Sequence, residues 1–249
     1  RLAGGDGADT VLGGFGNNES FFGGAGNDVY QIAGTAVDSF AYNINLETGT
    51  DQFGRTVSGF ETVLGGSNND TLTGRNDTSE LLDGGAGNDI IAGGGGNDTL
   101  TGGAGNDSLS GGEGADLFRL DQTTGLDTIL GGETGIDADQ LDLSGNAAAG
   151  VTVTLTGNEA GTAAVSGGAQ IATFSQVELY TLAAGNDIFT GADSITAAVT
   201  VDGGAGNDLL TGTGGGDSLL GGTGNDTLEG QNGADVMHGG DGNDSLLGY

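Results

Sequence analysis

Residues 203–247 read GGAGNDLLT, GTGGGDSLL, GGTGNDTLE, GQNGADVMH and GGDGNDSLL, which are five nine-residue units with no insertion between them. Every unit has Asp at its sixth position and Leu or Met two residues later. Repetition at a fixed period decides the architecture of a chain before local preferences do. The remaining residues are therefore best compared with this array.

Each unit divides into a turn and a short strand. Its first six residues are mostly Gly, Asn and Asp, which tolerate left-handed backbone and close approach. The last three place one large apolar side chain between small or polar neighbours, as in a very short strand with one side facing inward. No unit can bury its own apolar residue, so successive coils of two units must stack. The sequence predicts an all-β fold, a parallel β-roll or β-solenoid interrupted by short strand-pair spacers.

The turns bring one carboxylate from each coil to the same edge of the roll. Stacked coils lie ~4.8 Å apart, so a column of bare Asp side chains would repel itself. Calcium takes about 6–8 oxygen ligands from carboxylates and backbone carbonyls, and an ion between unit n and unit n+2 would remove the repulsion. The pairs predicted in this array are Asp208 with Asp226, Asp217 with Asp235, and Asp226 with Asp244.

The strings GGAGND, GGTGND and GGDGND, each with Leu two residues after the Asp, resemble the RTX (repeats-in-toxin) calcium-binding nonapeptide repeat. The resemblance implies a calcium-loaded parallel β-roll within a larger bacterial protein, such as the secreted toxins, proteases, lipases and adhesins that carry these repeats. It also implies a secreted, extracellular or cell-surface location, with the type I secretion apparatus as a partner of the parent protein.

The repeat fixes the candidate metal ligands. The predicted carboxylate ligands are Asp9, Asp28, Asp70, Asp89, Asp98, Asp107, Asp116, Asp187, Asp208, Asp217, Asp226, Asp235 and Asp244. The predicted backbone-carbonyl ligands are Gly84, Gly93, Gly102, Gly203, Gly221 and Gly239. Asp is common in turns, but its recurrence at one position of the unit favours ligation. One ion per pair of turns on an edge predicts roughly five to nine calcium ions.

The regular arrays alternate with less regular segments. We predict a partial first array at 1–31, a β spacer at 32–64, a second array with a closing segment at 65–145, a second β spacer at 146–184 and a third array at 185–249. Asn18 stands where the first array should have Asp, so a site there should be weaker. The second spacer repeats the first, because Glu61 and Glu178 each precede a turn Asp by 9 residues. We predict that both Glu residues are turn or end-site ligands and not catalysts.

Residues 120–145 resemble the segment that closes an RTX roll in secreted proteases. One interpretation is a capping loop, in which Ile129, Leu141 and Leu143 cover the open end of the stack. The other is a further calcium site built from Asp127, Asp137, Asp139 and Asp142. The irregular spacing of these acids favours the capping loop.

Composition excludes several functions. The 249 residues include 35 acidic and 4 basic ones, a net charge of −31, which makes nucleic acid and anionic membranes poor partners. No apolar run approaches the ~20 residues of a membrane span. His238 is the single histidine, so neither an HExxH zinc site nor a nucleophilic triad can form. We predict no catalytic residue and no enzyme activity for this segment, which we take to be part of a longer chain.

The leading hypothesis is a calcium-binding RTX repeat module of a larger secreted bacterial protein, which folds on binding calcium outside the cell. One alternative is an accessory module of a secreted protease, lipase or polysaccharide-modifying enzyme, which a catalytic motif before Arg1 would support. Another is a structural spacer of a surface adhesin, which further copies of the 32–119 module would support. A threonine ladder for ice binding is disfavoured, because the outward positions vary among Thr, Ser, Ala, Glu and Leu.

Overall fold

The computed structural model describes residues 2–13, 20–32, 41–120, 125–132, 138–146, 150–166 and 168–249. These residues form short β-strands and contain no helix, which confirms the all-β prediction. They fall into two compact units, residues 1–117 and 118–249. The boundary lies inside the predicted second array, and the five predicted segments stay a prediction.

The described strands that lie wholly within the first unit are two to six residues long. They are β1 (Leu2–Asp6), β2 (Thr10–Gly13), β3 (Phe21–Ala25), β4 (Val29–Ile32), β5 (Asn43–Asn45), β6 (Thr50–Asp51), β7 (Val57–Ser58), β8 (Thr62–Leu64), β9 (Thr71–Thr73), β10 (Leu81–Ala86), β11 (Ile90–Gly95), β12 (Thr99–Ala104) and β13 (Ser108–Glu113). The next strand, β14 (Leu117–Arg119), begins at the last residue of this unit.

The strands of the first unit form parallel sheets with one antiparallel pair. The sheet orders are β1-β3-β7, β2-β4-β8-β10-β12 and β13-β11-β9-β5-β6. In the array, Leu82 pairs with Leu100 and Ile91 with Leu109, so partners are 18 residues apart. Eighteen residues are two nonapeptides, which confirms that unit n stacks on unit n+2. The antiparallel pair is β5–β6, in the predicted spacer.

The core of the first unit is a stack of inward-facing side chains. Leu82, Leu100 and Ile91 are almost completely buried, as the period of nine predicts. The less regular end has an aromatic cluster in which Tyr30 lies 5.2 Å from Phe21 and 5.3 Å from Phe60, between ring centroids. In the first spacer, strand β5 covers three residues only, and the alternate residues Tyr42, Ile44 and Leu46 in and around it are buried.

The second unit has the same plan. Its strands are β15 (Asp127–Gly132), β16 (Gln140–Asp142), β17 (Val151–Gly157), β18 (Ala160–Val165), β19 (Gln170–Ser175), β20 (Leu179–Thr181), β21 (Ile188–Thr190), β22 (Thr200–Asp202), β23 (Leu209–Thr211), β24 (Ser218–Thr223), β25 (Thr227–Gln231), β26 (Val236–Asp241) and β27 (Ser245–Gly248). Within this unit the sheet orders are β16-β20-β22-β24-β26 and β27-β25-β23-β21-β17-β18-β19-β15.

The second spacer is a three-stranded antiparallel insertion and not a strand pair. Strand β18 pairs antiparallel with both β17 and β19, while β17 pairs parallel with β21 and β19 pairs parallel with β15. The spacer therefore continues the sheet of the array without breaking it. An aromatic cluster again marks this region, with Tyr180 5.6 Å from Phe174 and 4.9 Å from Phe189.

The segment predicted to close the second array instead forms strands that later residues extend. Strand β15 pairs with β19 and β16 pairs with β20, so the described part of this segment contributes a strand to each of the two sheets of the second unit. Ile129, Leu141 and Leu143 are buried as core residues of that unit. The capping-loop interpretation is therefore wrong for the described part of this segment, because both of its strands carry a neighbour.

Candidate metal sites in the turns

The turns of the arrays require glycine for two physical reasons. Gly85 and Gly103 have φ of 97° and 92°, in the left-handed region that favours glycine. A Cβ on Gly103 would also overlap the carbonyl oxygen of Gly85 in the neighbouring coil. The turns of successive coils therefore stack backbone on backbone, and they bring carbonyl oxygens into a narrow space.

The sixth-position Asp of each unit directly precedes a strand and turns its side chain inward. Asp89, Asp98 and Asp226 are each 1% exposed. The backbone N–H of Asp89 donates to Oδ1 of Asp107 at 2.7 Å, and that of Asp208 donates to Oδ1 of Asp226 at 2.9 Å. Each carboxylate thus caps the turn of the coil before it, 18 residues earlier.

These residues form columns along the edges of each unit. The first unit has one column of Asp9, Asp28, Glu61, Glu80, Asp98 and Asp116 and another of Asp70, Asp89 and Asp107. The second unit has one column of Asp139, Glu178, Asp217 and Asp235 and another of Asp187, Asp208, Asp226 and Asp244. All three Asp pairs predicted in the third array are joined by such hydrogen bonds.

The second carboxylate oxygen of several turns is buried and has no hydrogen-bond donor. This holds for Oδ2 of Asp9, Asp28, Asp89, Asp98, Asp208 and Asp226. A buried charged oxygen without a partner is strongly disfavoured. These oxygens therefore mark places where a bound group that the chain itself does not provide would be stabilised.

The space beside the bare oxygen is shaped by glycine. A Cβ built on Gly84 would overlap Oδ2 of Asp89 and lie 2.8 Å from the carbonyl oxygen of Gly102. Gly203 has the same relation to Asp208, with the carbonyl oxygen of Gly221 at 2.7 Å from the built Cβ. Because the first residue of the repeat unit is glycine and has no side chain, space remains where the Asp carboxylate and a carbonyl oxygen of the next coil converge.

The donor set consists of oxygens. Among the described residues, no three His, Cys, Asp or Glu side chains converge on one point. A cation in these turns would therefore take most of its ligands from backbone carbonyls, with one or two carboxylates. Hard oxygen donors in a flexible number and geometry suit calcium better than zinc or other metals that prefer nitrogen and sulfur. The residues present fit the ion that the sequence predicts.

Burial raises the pKa of these carboxyl groups when no cation is bound. Desolvation raises the pKa of Asp89 to about 7 and that of Asp208 to about 7. For Asp89, the carboxylates of Asp107, Asp70 and Asp83 also contribute to the raised pKa, while the hydrogen bond from the N–H of Asp70 opposes it. Desolvation likewise raises the pKa of Asp98 and of Asp187 to about 6. A positive ion bound beside these carboxylates would favour their charged form and so oppose the rise in pKa.

The imperfect first array has the same geometry as the regular ones. The N–H of Asp9 donates to Oδ1 of Asp28 at 2.9 Å, and both residues leave Oδ2 without a donor. A Cβ on Gly23 would overlap the carbonyl oxygen of Gly59 and lie 2.7 Å from Oδ2 of Asp28. Asn18, which was expected to weaken a site here, lies outside the described residues.

In the turns of Asp70 and Asp217 the chain supplies donors to both carboxylate oxygens, unlike in the turns of Asp89 and Asp208. Asp70 accepts the N–H of Tyr42 at Oδ1 and that of Gly66 at Oδ2, at 2.7 and 2.9 Å. Asp217 accepts the N–H of Thr213 at Oδ2, at 2.6 Å, and the Thr213 hydroxyl also lies within hydrogen-bond distance of its carboxylate. The position of the Asp in its unit does not distinguish these turns, but Thr213 replaces the usual second-position glycine in the Asp217 turn, and the sequence shows this departure.

Three glutamates occupy positions in the Asp columns. Glu61 accepts the N–H of Asp28 and Glu178 accepts that of Asp139, both at 2.9 Å through Oε2. Each of these two residues precedes the next turn Asp by 9 residues, and this equal spacing was the sequence signal for their shared role. Glu80 was missed, because it lies in the irregular stretch GRNDTSELLD.

Of the four acids considered for a closing calcium site, the three described ones do not converge on one point. Asp139 is fully buried in a turn of the usual kind, since a Cβ on Gly131 would overlap its Oδ2. Asp127 begins strand β15, and Asp142 lies 3.8 Å from the Arg119 side chain. Asp137 lies outside the described residues. Of the three described acids in this group, Asp139 alone has the geometry of a repeat turn.

A parallel β-roll with buried carboxylates and carbonyl oxygens facing each other between its turns defines the chain as a cation-binding repeat module. The family model described as RTX calcium-binding nonapeptide repeat (4 copies) matches residues 1–20, 56–78, 83–118, 198–219 and 211–246, together about half of the chain. The chain belongs to this family, and it is a calcium-binding repeat module that is structural and not itself catalytic.

No curated protein matches the chain. Among the described residues, no helix has the length and apolar character needed to cross a bilayer.

Proposed function

We propose that this chain is the calcium-folded part of a larger secreted bacterial protein and that its turns close when calcium binds outside the cell. The observation that carries the proposal is the bare, buried Oδ2 of turn residues such as Asp89 and Asp208, set against a carbonyl oxygen of the next coil. A divalent cation in that space would neutralise the carboxylate and give both oxygens a partner.

The proposed ligands are the sixth-position carboxylates and the first-position carbonyls. Asp9, Asp28, Asp89, Asp98, Asp208 and Asp226, which have a bare oxygen, are the leading carboxylate ligands. Asp107, Asp116, Asp187, Asp235 and Asp244 hold the same position in their units. The carbonyl oxygens of Gly102, Gly221 and Gly239 lie near the same built Cβ positions as Oδ2 of Asp89, Asp208 and Asp226, respectively. Asp70 and Asp217 already have chain donors, so we propose that they bind calcium less tightly.

The proposed folding mechanism combines the net negative charge of the chain with the thermodynamic linkage between calcium binding and folding. A ligand that binds the folded state alone stabilises it by RT ln(1 + [L]/Kd) at each site. Extracellular-type calcium sites have Kd of ~10⁻⁴–10⁻³ M, so they are empty at cytosolic calcium and filled outside. The net charge of −31 opposes the compact state while the sites are empty. Such a chain would stay open for passage through a type I secretion channel and would fold after export.

Calcium titration of the chain followed by far-UV circular dichroism tests the proposal, with magnesium as the control ion. We expect a cooperative gain of β signal at sub-millimolar to millimolar calcium, and no such gain with magnesium, which demands a stricter octahedral shell. A β spectrum that is complete in the presence of a strong chelator would overturn calcium-driven folding.

One observation favours a second candidate, a structural spacer of a surface adhesin. The two units contain equivalent junctions, because Asp28–Glu61 and Asp139–Glu178 make the same hydrogen bond at the same distance of 2.9 Å. Duplication of a whole module is typical of long repetitive surface proteins. Sequencing of the gene on both sides of this segment distinguishes the candidates, since an adhesin would contain further copies of the module.

A further inference from the structure

The turn from Gly74 to Glu80 is built unlike the other array turns. Glu80 occupies the sixth-position column, since its N–H donates to Oδ1 of Asp98 at 2.8 Å and its carbonyl accepts the N–H of Thr99 at 2.8 Å. Its side chain is fully buried, so it presents a carboxylate to the interior as the aspartates do. The turn is one residue longer than a regular one, with six steps from Gly74 to Glu80 instead of the five from Gly84 to Asp89.

An arginine supplies a positive charge to this buried carboxylate. Nη1 of Arg75 lies 2.8 Å from Oε1 of Glu80, and the Arg75 N–H donates to Oε2 at 3.2 Å. The hydroxyl of Thr78 also donates to Oε1. Both oxygens of Glu80 therefore have donors from the chain, whereas Oδ2 of Asp98 in the next coil has none.

The guanidinium is fixed from a second direction. Nη2 of Arg75 donates to the carbonyl oxygen of Phe60 at 2.8 Å, so the side chain joins the turn to the preceding coil. As in the turns of Asp89 and Asp208, the first-position glycine leaves space beside the carboxylate. A Cβ on Gly74 would overlap the carbonyl oxygen of Gly93 and lie 2.9 Å from Oε2 of Glu80. A carboxylate and a carbonyl thus converge here too, but a side-chain cation already neutralises the carboxylate.

We propose that Arg75 is a built-in cation that takes the role of calcium in the Gly74–Glu80 turn, and that this turn stays folded at calcium concentrations that empty the array turns. Strand β10 follows Glu80 directly and pairs with both β8 and β12. The ion-independent turn therefore presents a formed coil on which the regular array at residues 84–118 can stack, and repeat arrays propagate from any formed coil.

A second arginine supports this distinction between a turn neutralised by arginine and turns that need calcium. Arg55 is buried beside Asp51, with Nε of Arg55 2.5 Å from Oδ2 of Asp51 and its guanidinium carbon 5.3 Å from the centre of the Phe21 ring. Arg55 and Arg75 both lie between the first array and the regular part of the second. In a chain with 4 basic residues, two of them are placed where the nonapeptide pattern is interrupted.

Hydrogen exchange of the whole chain, read by mass spectrometry with and without a calcium chelator, tests the proposal. The reporters are the N–H of Leu81, which donates to Glu61, and that of Thr227, which donates to Asp208. In chelator we expect the Leu81 amide to exchange at least about tenfold more slowly than the Thr227 amide, since charge-assisted hydrogen bonds hold its turn. Equal loss of protection at both amides would overturn the proposal.

Variants separate the arginine from general destabilisation. In chelator, Arg75→Gln should remove most of the extra protection at Leu81, Arg75→Lys should retain part of it, and Arg119→Gln should leave it unchanged, because the Arg119 side chain is 51% exposed. Identical exchange in Arg75→Gln and the unaltered chain would contradict the proposal. The inference rests on calcium-dependent folding of the arrays, and the two fail differently. Full protection of Thr227 in chelator would refute the proposed function, whereas opening of Leu81 together with Thr227 would refute the role of Arg75.

Discussion

The backbone N–H of Asp89 donates to Oδ1 of Asp107 at 2.7 Å, so one carboxylate oxygen holds the turn of the neighbouring coil while the turn geometry directs the other towards glycine. The same division of the two oxygens is present between Asp208 and Asp226, where Oδ2 of Asp226 is bare. The carboxylates thus have a structural role through one oxygen and a proposed metal-binding role through the other. This division makes the two roles separable by experiment.

The first prediction uses Asp226→Asn. The amide oxygen can still accept the N–H of Asp208, but the variant loses the negative charge that we propose calcium requires. We expect the calcium concentration at the midpoint of folding to rise about tenfold, equivalent to ~1.4 kcal/mol. Circular dichroism during calcium titration measures the midpoint.

Asp241→Asn is the matched control, because Asp241 is in the same array and its side chain is exposed. It removes the same charge from the chain without touching a turn oxygen column. Equal midpoint shifts in the two variants would show that net charge alone sets the calcium requirement, and the site assignment would then be wrong.

The second prediction concerns pH. In the calcium-free fold, burial raises the pKa of Asp89 and Asp208 from 3.8 to about 7. A pKa raised on folding contributes stability that is fully present below the unfolded value and is lost as the pH rises through the folded value. Any calcium-free folded state should therefore be more stable near about pH 5 than near about pH 8.

With calcium the direction is opposite, because protons and calcium compete for the same carboxylates. The calcium midpoint should rise as the pH falls below about 7, the range in which Asp89 and Asp208 take up protons. Urea unfolding in chelator and calcium titration, both at several pH values, measure the two trends. A calcium midpoint that does not change between about pH 5 and pH 8 would count against carboxylate ligation.

Much of the fold follows from the period of nine. The repeat predicts that the apolar residue two positions after the Asp faces inward and the residue before it faces outward, and Ile91 and Ile90 confirm this. The 18-residue register follows from two units per coil. The spacers were less predictable, because a strand that reverses direction, such as β18, has the same two-residue alternation as one that does not. The reversal depends on turns and on which neighbour is available, and neither is written in the local pattern.

The site was predictable in position but not in its variation. The repeat gave the sixth-position Asp, but it could not show that Thr213 satisfies Asp217 or that Arg75 satisfies Glu80. Those contacts depend on single side chains that depart from the pattern, at a second position and in an irregular turn. Departures from the repeat are therefore the residues to inspect first when ion-dependent and ion-independent turns must be distinguished.

The third prediction tests the stacking of the turns. Gly103→Ala should destabilise the calcium-loaded fold, because alanine is strained at φ of 92° and its Cβ would overlap the carbonyl oxygen of Gly85. Strain of this kind costs ~1–3 kcal/mol before the overlap is counted. Gly157→Ala is the control, since its Cβ would meet no atom within 4 Å. Urea unfolding in calcium measures both, and the prediction is wrong if the two variants unfold alike.

The last prediction compares two adjacent isoleucines of strand β11. Ile91 is 1% exposed and faces the core, whereas Ile90 is 57% exposed on the outer face. Ile91→Ala should lower the free energy of unfolding of the calcium-loaded chain by ~2–5 kcal/mol, because it removes buried methyl groups and leaves a cavity. Ile90→Ala should change it by about 0.5 kcal/mol or less.

The comparison is direct because both variants delete the same atoms from neighbouring positions. Urea unfolding at saturating calcium gives the two free energies, and calcium titration shows whether either variant alters the midpoint. A large effect of Ile90→Ala together with a small effect of Ile91→Ala would place the opposite face of β11 in the core. Because the side-chain period of a strand is two residues, that outcome would require a register shift of one residue, which would also move Asp89 out of its column.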